Sequence, residues 1–355
     1  MKRSLLQFLR CPQTKSKLTL KQAVDSGRQD EITTGELLSE EGQLYPIRNG
    51  VPIMLPPGGS DERQSKTAES FSEKWKRAPG YREDTKPHYI AWYLERYGHV
   101  TMEQLRSFLE TKRFILDAGT GEGRDSELYA RNSSAQVFGV DISEGIEIAY
   151  RDLGHLPNLH LIRADLTALP FAGGFFDFIA CDQVIHHTAD TYASLQALLR
   201  HLGKGHIAVY TYKKKGPIRE FCDDYIRERT VPMAPEACME FSEAMTKLGK
   251  ALSDLKVEIH IPADIPLLEI KAGSYDLQRW IYWNVFKCYW NDSMDWTSNV
   301  ITNFDWYHPL CAHRHTPEEV SGWFGEQGLS IEHMSVVESG ISVLASNAVR
   351  PGIKN

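Results

Sequence analysis

Apolar residues along the 355-residue chain fall into two kinds of pattern. Short runs bounded by glycine, proline or an acid predict strands: Phe114–Leu116, Gln136–Asp141, Leu159–Leu166, Phe175–Asp182 and Gly205–Tyr212. Two further runs, 329–337 and 341–347, flank Ser339-Gly340 and predict an antiparallel hairpin. Between these runs the apolar residues recur every three or four positions. Met102, Leu105, Phe108 and Leu109 share one helical face, as do Tyr192, Leu195, Leu198, Leu199 and Leu202 behind a capping Asp190. A helix is expected over 124–131, another after Ser143, and a last one opening on the capping box Thr316…Glu319 with Pro317 as its first residue. Strands alternating with helices make the fold class α/β, a seven-stranded, mostly parallel sheet with helices on both faces.

Outside that core the pattern changes. Residues 1–58 read as a small module of their own. A short helix carries Leu5, Leu6, Phe8 and Leu9 and ends at Cys11-Pro12, and Asn49-Gly50 turns two short strands. Residues 56–68 read as a linker, and 59–112 as linker and helices rich in rings: Phe71, Trp75, Tyr81, His88, Tyr89, Trp92 and Tyr93. Residues 213–311 interrupt the sheet with a helical insertion. Pro217 and Pro235 suit first helical turns, and Leu248, Leu252 and Leu255 form a stripe. Five of the eight tryptophans, Trp280, Trp283, Trp290, Trp296 and Trp306, fall in this part, which reads as an aromatic cap. The sheet domain is therefore expected over 113–212 and 312–349.

Composition narrows the class. Hydrophobic content of 42% and charged content of 25% are ordinary for a globular enzyme. Net charge −7 and a pI of about 6.0 speak against a nucleic-acid binder. The six cysteines, at 11, 181, 222, 238, 288 and 311, contain no C-x-x-C pair, so no disulfide framework or metal site is expected. The expected setting is a reducing cytoplasm, with no membrane span.

The chemistry is concentrated where the first sheet strand ends, in Asp117-Ala118-Gly119-Thr120-Gly121-Glu122-Gly123. A glycine-rich turn leading from a strand into a helix makes a nucleotide-sized pocket at the sheet's carboxyl edge. A dinucleotide fingerprint, G-x-G-x-x-G, needs its third glycine at 124, which is Arg124. An acid ahead of the turn would repel a pyrophosphate but would attract a ligand with a cationic amino-acid end. S-adenosylmethionine (SAM) meets that description. Asp141, ending the second strand, is placed to accept both hydroxyls of a ribose.

Residues 114–190 resemble the cofactor half of a class I SAM-dependent methyltransferase, a Rossmann-like fold. The resemblance implies cofactor contacts from Trp75, Asp117, Gly119, Thr120, Gly121, Gly123, Asp141, Ile142, Asp182 and Gln183, with Asp165 on the adenine amine and the Leu166 amide on a ring nitrogen. His186 and His187 leave the fourth strand beside the methyl position, where a general base and a structural anchor are both open readings. His308 and His313 are further catalytic candidates. Tyr212, Arg219, Trp306, Tyr307 and Arg314 are candidates for the substrate wall. The amino-terminal segment is similar to the zinc-ribbon module fused to, or activating, several methyltransferases. The ribbon is degenerate, because Thr14 and Tyr45 stand where metal-binding residues would be sought, and it is expected to serve as a packing or homodimer surface. The implied activity is methyl transfer, with O-methylation favoured, to a small-molecule acceptor held under the cap. An RNA methyltransferase and a SAM-binding protein without transferase activity are the alternatives.

Overall fold

The structure, a computed structural model, describes residues 1–25, 30–56, 58–59, 61–78 and 81–347. At the amino terminus a 3₁₀ turn (Arg3–Gln7) precedes an antiparallel meander of β1 (Leu18–Asp25), β2 (Ile32–Ser39), β3 (Leu44–Arg48) and β4 (Val51–Pro52). Asn49 and Gly50, both at positive φ (49° and 81°), make the β3–β4 turn expected from their sequence. β1 and β2 were not legible, because β1 is an edge strand whose side chains are mostly exposed.

Three helices follow: α1 (Glu62–Arg77), α2 (Tyr81–Arg96) and α3 (Met102–Glu110). The expected linker 56–68 is shorter than its composition implied. Asp61 accepts a hydrogen bond from the Arg63 amide and starts α1 within it. Pro57 and Ser60 of that stretch lie outside the described residues.

The main sheet is built from β5 (Phe114–Ala118), β6 (Gln136–Asp141), β7 (Leu159–Arg163), β8 (Phe176–Cys181) and β9 (Leu202–Lys213), with α4 (Arg124–Arg131), α5 (Gly145–Leu153) and α6 (Thr191–Leu199) between them. Ser143 is not the cap of α5: Glu144 stands at the N-cap without a side-chain cap hydrogen bond, and Ser143 Oγ, one residue earlier, accepts from the Gly145 amide at 3.3 Å. Next come α7 (Pro217–Thr230), α8 (Pro235–Asp254), the hairpin β10 (Glu258–Ile261) and β11 (Gly273–Asp276), α9 (Leu277–Asn284) and α10 (Trp296–Tyr307). The chain closes with β12 (Arg314–His315), α11 (Pro317–Glu326), β13 (Ser330–Val336) and β14 (Gly340–Ser346). Strand order is β13-β14-β9-β8-β5-β6-β7, and the two-residue β12 pairs in parallel with β9 as an eighth strand. β5 through β9 run parallel, and β14 lies antiparallel to β9. The order reverses at β5 and β8, which opens a crevice at their carboxyl ends.

The amino-terminal module is welded to this sheet. The Phe8 ring packs 5.4 Å from Phe138 and 5.6 Å from Phe114, inside a core shared with Leu116, Val140 and Ile179. The Met54 amide donates to the Arg163 carbonyl at 2.7 Å, so the module covers the exposed edge of β7. Lys2 Nζ donates to the carbonyls of Gly154, Leu156 and Leu159, between 2.6 and 3.1 Å. The ribbon is a packing surface within its own chain. Cys11 Sγ lies 3.2 Å from Tyr45 Oη, and among the described residues no group of three His, Cys, Asp or Glu side chains is placed to hold a metal ion.

The helices between β9 and β12 have a core of their own in Cys238, Phe304, Trp306 and Tyr307. The Leu248 and Leu255 stripe is not part of it, since both side chains are exposed. Arg227 holds the end of α10 by donating to the carbonyls of Trp306, Pro309 and Leu310. Among the described residues no helix is long and apolar enough to cross a membrane.

Candidate functional site

The crevice is a single deep pocket containing about 1110 Å³ of atom-free space, its mouth included. One end is made by the β5 turn and by the ends of β6 and β7: Asp117, Gly119, Thr120, Gly121, Asp141, Ile142 and Leu166. Gly119 and Gly121 adopt φ of +90° and +55°, and a Cβ on Gly121 would come within 2.7 Å of the Trp75 ring. The turn therefore needs glycine twice over, for its conformation and for the tryptophan packed on it. α1 supplies that tryptophan.

Carboxylates organise this end. Asp141 Oδ2 accepts from the Gly121 amide at 2.7 Å, and its Oδ1 from the Ser143 amide and hydroxyl at 2.7 and 2.6 Å. Asp117 accepts from Ser126 Oγ at 2.7 Å, and burial pushes its carboxyl up to about 6. Asp182 is fully enclosed. Arg96 lies 3.0 Å from its Oδ2, while Tyr97 donates to Oδ1 and Gln183 to Oδ2. Tyr89 Oη lies 2.7 Å from both Asp182 and Asp125. One hydroxyl proton cannot serve two carboxylates. Burial, together with the neighbouring Asp182 and Asp117, pushes the Asp125 carboxyl well above the usual range, so Asp125 supplies the second proton.

The opposite end is lined by Phe71, Lys74, His187, Thr188, Tyr212 and Asp305. Lys74 on α1 donates to Asp305 Oδ2 on α10 at 3.0 Å and tethers the cap to the helix that covers the turn. His187 Nδ1 lies 2.7 Å from the Cys311 carbonyl, and burial holds the ring's pKa down at about 4. At neutral pH this imidazole is an anchored, neutral side chain.

The other sequence candidates divide by position. Trp75, Gln183 and Asp182 line the pocket; Gly123 and Asp165 do not. Asp165 Oδ1 accepts from Gln64 Nε2 at 2.8 Å, and Gln64 is the group that faces the cavity. His186 is buried behind the wall with its ring 3.7 Å from that of Tyr212. His308 stacks on Phe304, and His313 Nε2 lies 3.0 Å from the Thr188 carbonyl; both are outside the pocket. Arg219 and Arg314 stand away from the pocket as well. Arg219 pairs with Asp223 at 2.6 Å in the cap core, and Arg314 pairs with Glu220 and Asp224. Trp306 is one layer back, 4.9 Å from Tyr212, and Tyr307 donates to the Lys287 carbonyl. Lys74, Gln64 and Asp305 carry no sequence signal of a site, because each is brought there by helices distant in the chain.

Behind Asp305 sits Lys287, buried, 5.1 Å from the Trp306 ring. Burial lowers its pKa from 10.5 to about 7, against the opposing pull of Asp305. A folded-state pKa below the unfolded one means that the unfolded chain binds more protons between pH 7 and 10.5, so stability rises with pH across that window. The cost, at most about 5 kcal/mol, is fully present below pH 7. Lys287→Met is therefore expected to raise the unfolding midpoint by several degrees at pH 6 and by little at pH 10. Equal shifts at both values would show that Lys287 is not a strained cation.

The donor set suits SAM, with acids for an ammonium and a ribose diol and apolar walls for adenine. Residues 116–209 match the family described as methyltransferase domain, and residues 2–50 match the Trm112p-like proteins. This chain carries a class I SAM-dependent methyltransferase domain. Its cofactor is SAM. The methyltransferase core is 33% identical over 117 residues to a malonyl-[acyl-carrier protein] O-methyltransferase of Legionella pneumophila, covering 32% of this chain and 40% of that protein. It is 29% identical over 116 residues to a demethylmenaquinone methyltransferase of Renibacterium salmoninarum, covering 32% and 47%. The chain thus spans less than half the length of these relatives. The Trm112p-like module is 46% identical over 54 residues to a UPF0434 protein of Rhodopseudomonas palustris, covering 15% of this chain and 69% of that protein, and it belongs to that family.

Proposed function

We propose that this protein transfers the methyl group of SAM to an oxygen of a small molecule enclosed beneath the cap. The observation that carries the reading is the continuity of the pocket. Its acidic, glycine-lined end and its aromatic end, with Phe71 and Tyr212, form one continuous cavity. SAM, when bound, supplies an electrophilic methyl on a sulfonium.

On this reading the chain's own residues divide the work. Asp141 accepts the ribose hydroxyls, and Asp117 and the Gly119–Gly121 turn face the amino-acid end. Gln64, held by Asp165, takes the adenine amine that the sequence assigned to Asp165 itself. The cap excludes water and holds donor and acceptor at attack distance, an effect that can supply about 7–11 kcal/mol of a barrier. The name of the Renibacterium relative supports a small organic acceptor, and that of the Legionella one, which acts on a malonyl group of a carrier protein, supports oxygen.

The experiment is to incubate purified protein and methyl-labelled SAM with a lysate resolved into small-molecule, RNA and protein fractions. Label is expected in the small-molecule fraction. Label confined to RNA would overturn the proposal, and no label despite SAM binding would favour a binding protein without transferase activity.

A further inference from the structure

We propose that Arg124 receives the carboxylate of the cofactor's amino-acid end, and that through it the pocket discriminates against cofactor analogues lacking that group. This goes beyond the acceptor reading above, rests on SAM as the cofactor, and holds whether or not a methyl group is transferred.

The need for such a residue follows from charge. The amino-acid end of SAM carries an ammonium and a carboxylate on the same carbon. Asp117, Asp141 and Asp182 line the pocket, and they attract the ammonium but repel the carboxylate. Among the described residues two lysine or arginine side chains line the cavity, Lys74 and Arg124. Lys74 is taken, since it donates to Asp305 Oδ2 at 3.0 Å. Arg124 makes no hydrogen bond among the described residues.

The neighbours of Arg124 hold it in place without using its donors. It is the first residue of α4, immediately after the glycine turn. Its guanidinium lies 4.4 Å from the centre of the Tyr89 ring and 5.1 Å from that of Tyr81, so two rings of α2 fix where it stands. The Tyr89 ring is itself held, with its hydroxyl 2.7 Å from both Asp125 and Asp182. Glu122 Oε1 is 4.0 Å from the guanidinium, too far for a hydrogen bond. Asp125 carries a proton, and Asp182 is claimed by Arg96. Nε of Arg124 is enclosed, whereas its two terminal nitrogens are not, and the side chain keeps 18% of its surface exposed. The donors can therefore be reached from the cavity that the residue lines.

Chemistry selects the ligand. A guanidinium offers parallel N–H donors that match the two oxygens of a carboxylate. An ammonium would be repelled, and a hydroxyl would meet only one donor of the pair. A methyl acceptor could carry a carboxylate too, and position decides between the sources. Arg124 adjoins the turn of Gly121 and Glu122, whereas Phe71, Lys74 and Tyr212 line the opposite end.

The test is calorimetric. Its ligands are S-adenosylhomocysteine, the same thioether without its carboxylate (5′-(3-aminopropylthio)-5′-deoxyadenosine), and benzoate added to the S-adenosylhomocysteine-loaded protein. Wild type should bind the decarboxylated thioether about 30-fold more weakly than S-adenosylhomocysteine. Arg124→Met should bind S-adenosylhomocysteine about 30-fold more weakly than wild type does, but the decarboxylated thioether within about 3-fold. Arg124→Lys, which keeps the charge but not the fork, should fall between. Equal binding of the two thioethers by wild type would overturn the proposal, and that comparison depends on no variant folding. Unchanged S-adenosylhomocysteine affinity in Arg124→Met would overturn it, as would equal losses for both thioethers, the mark of a residue that only shapes the turn. Benzoate binding abolished by Arg124→Met, with S-adenosylhomocysteine affinity kept, would assign the residue to the acceptor and overturn it too. Failure of wild type to bind S-adenosylhomocysteine would overturn the cofactor assignment and the proposal with it, whereas the other outcomes leave that assignment standing.

Discussion

Asp141→Ala is expected to weaken SAM binding about 100-fold in calorimetry while leaving the fold intact. Both oxygens of Asp141 already accept hydrogen bonds, Oδ2 from Gly121 in the glycine turn and Oδ1 from Ser143 at the start of the next helix. The side chain thus joins the two backbone segments that form one end of the pocket. A carboxylate has about four lone-pair sites and these contacts fill three, so one ribose hydroxyl adds to the free site and the other takes the place of the Ser143 hydroxyl. Removing the acid loses the two charge-assisted bonds to the ligand and lets the turn relax. Bonds to a charged group contribute about 1.5–3 kcal/mol each, and a net loss of about 3 kcal/mol is about 100-fold in affinity. Asp141→Asn, which keeps one acceptor oxygen, should lose less. Unchanged affinity in Asp141→Ala would show that the ribose is held elsewhere.

Arg96→Ala should be the most damaging single change to stability. Arg96 and Asp182 are each about 1% exposed at the side chain and lie 3.0 Å apart, with the guanidinium also 4.2 Å from the Trp92 ring. Removing one member of a buried pair leaves the other charged and unpaired, which costs about 3–5 kcal/mol. In a chain of this size that lowers the unfolding temperature by about 5 °C. The double variant Arg96→Ala/Asp182→Asn should recover part of the loss, because no isolated charge remains. If calorimetry shows additive losses instead, the two residues are not coupled as the geometry indicates. SAM affinity should fall with stability in Arg96→Ala, since Asp182 also lines the pocket.

The parts of the molecule legible in the sequence share one property: their environment is set by neighbours close in the chain. β5 and β6 begin where their apolar runs begin, and α4 spans the predicted 124–131, because apolar runs and cap residues are local signals. The Thr316–Glu319 capping box is present in the structure for the same reason. β1 escaped because its side chains alternate weakly over a mostly exposed edge, and the hairpin of β10 and β11 escaped inside a segment that otherwise reads as helical. Lys74 is paired with Asp305 and Arg96 with Asp182, partners 231 and 86 residues apart, and no periodic pattern encodes such a pairing. Arg219 and Arg314 were reasonable candidates for a substrate by charge alone. Asp223, Glu220 and Asp224, all on α7, claim them first.

The sequence by itself therefore determined the order of strands and helices in the main sheet, the glycine turn with its preceding acid, and hence the class of cofactor, since these depend on backbone conformation and residue type within a few positions. Only the tertiary structure decided what the aromatic end of the pocket presents to an acceptor. That wall is assembled from α1, the exit of β8, β9 and α10, and a side chain's chemistry there depends on which distant charge has already satisfied it. The Asp305 carboxylate is held by Lys74 of α1, and Arg314 is claimed by Glu220 and Asp224 of α7.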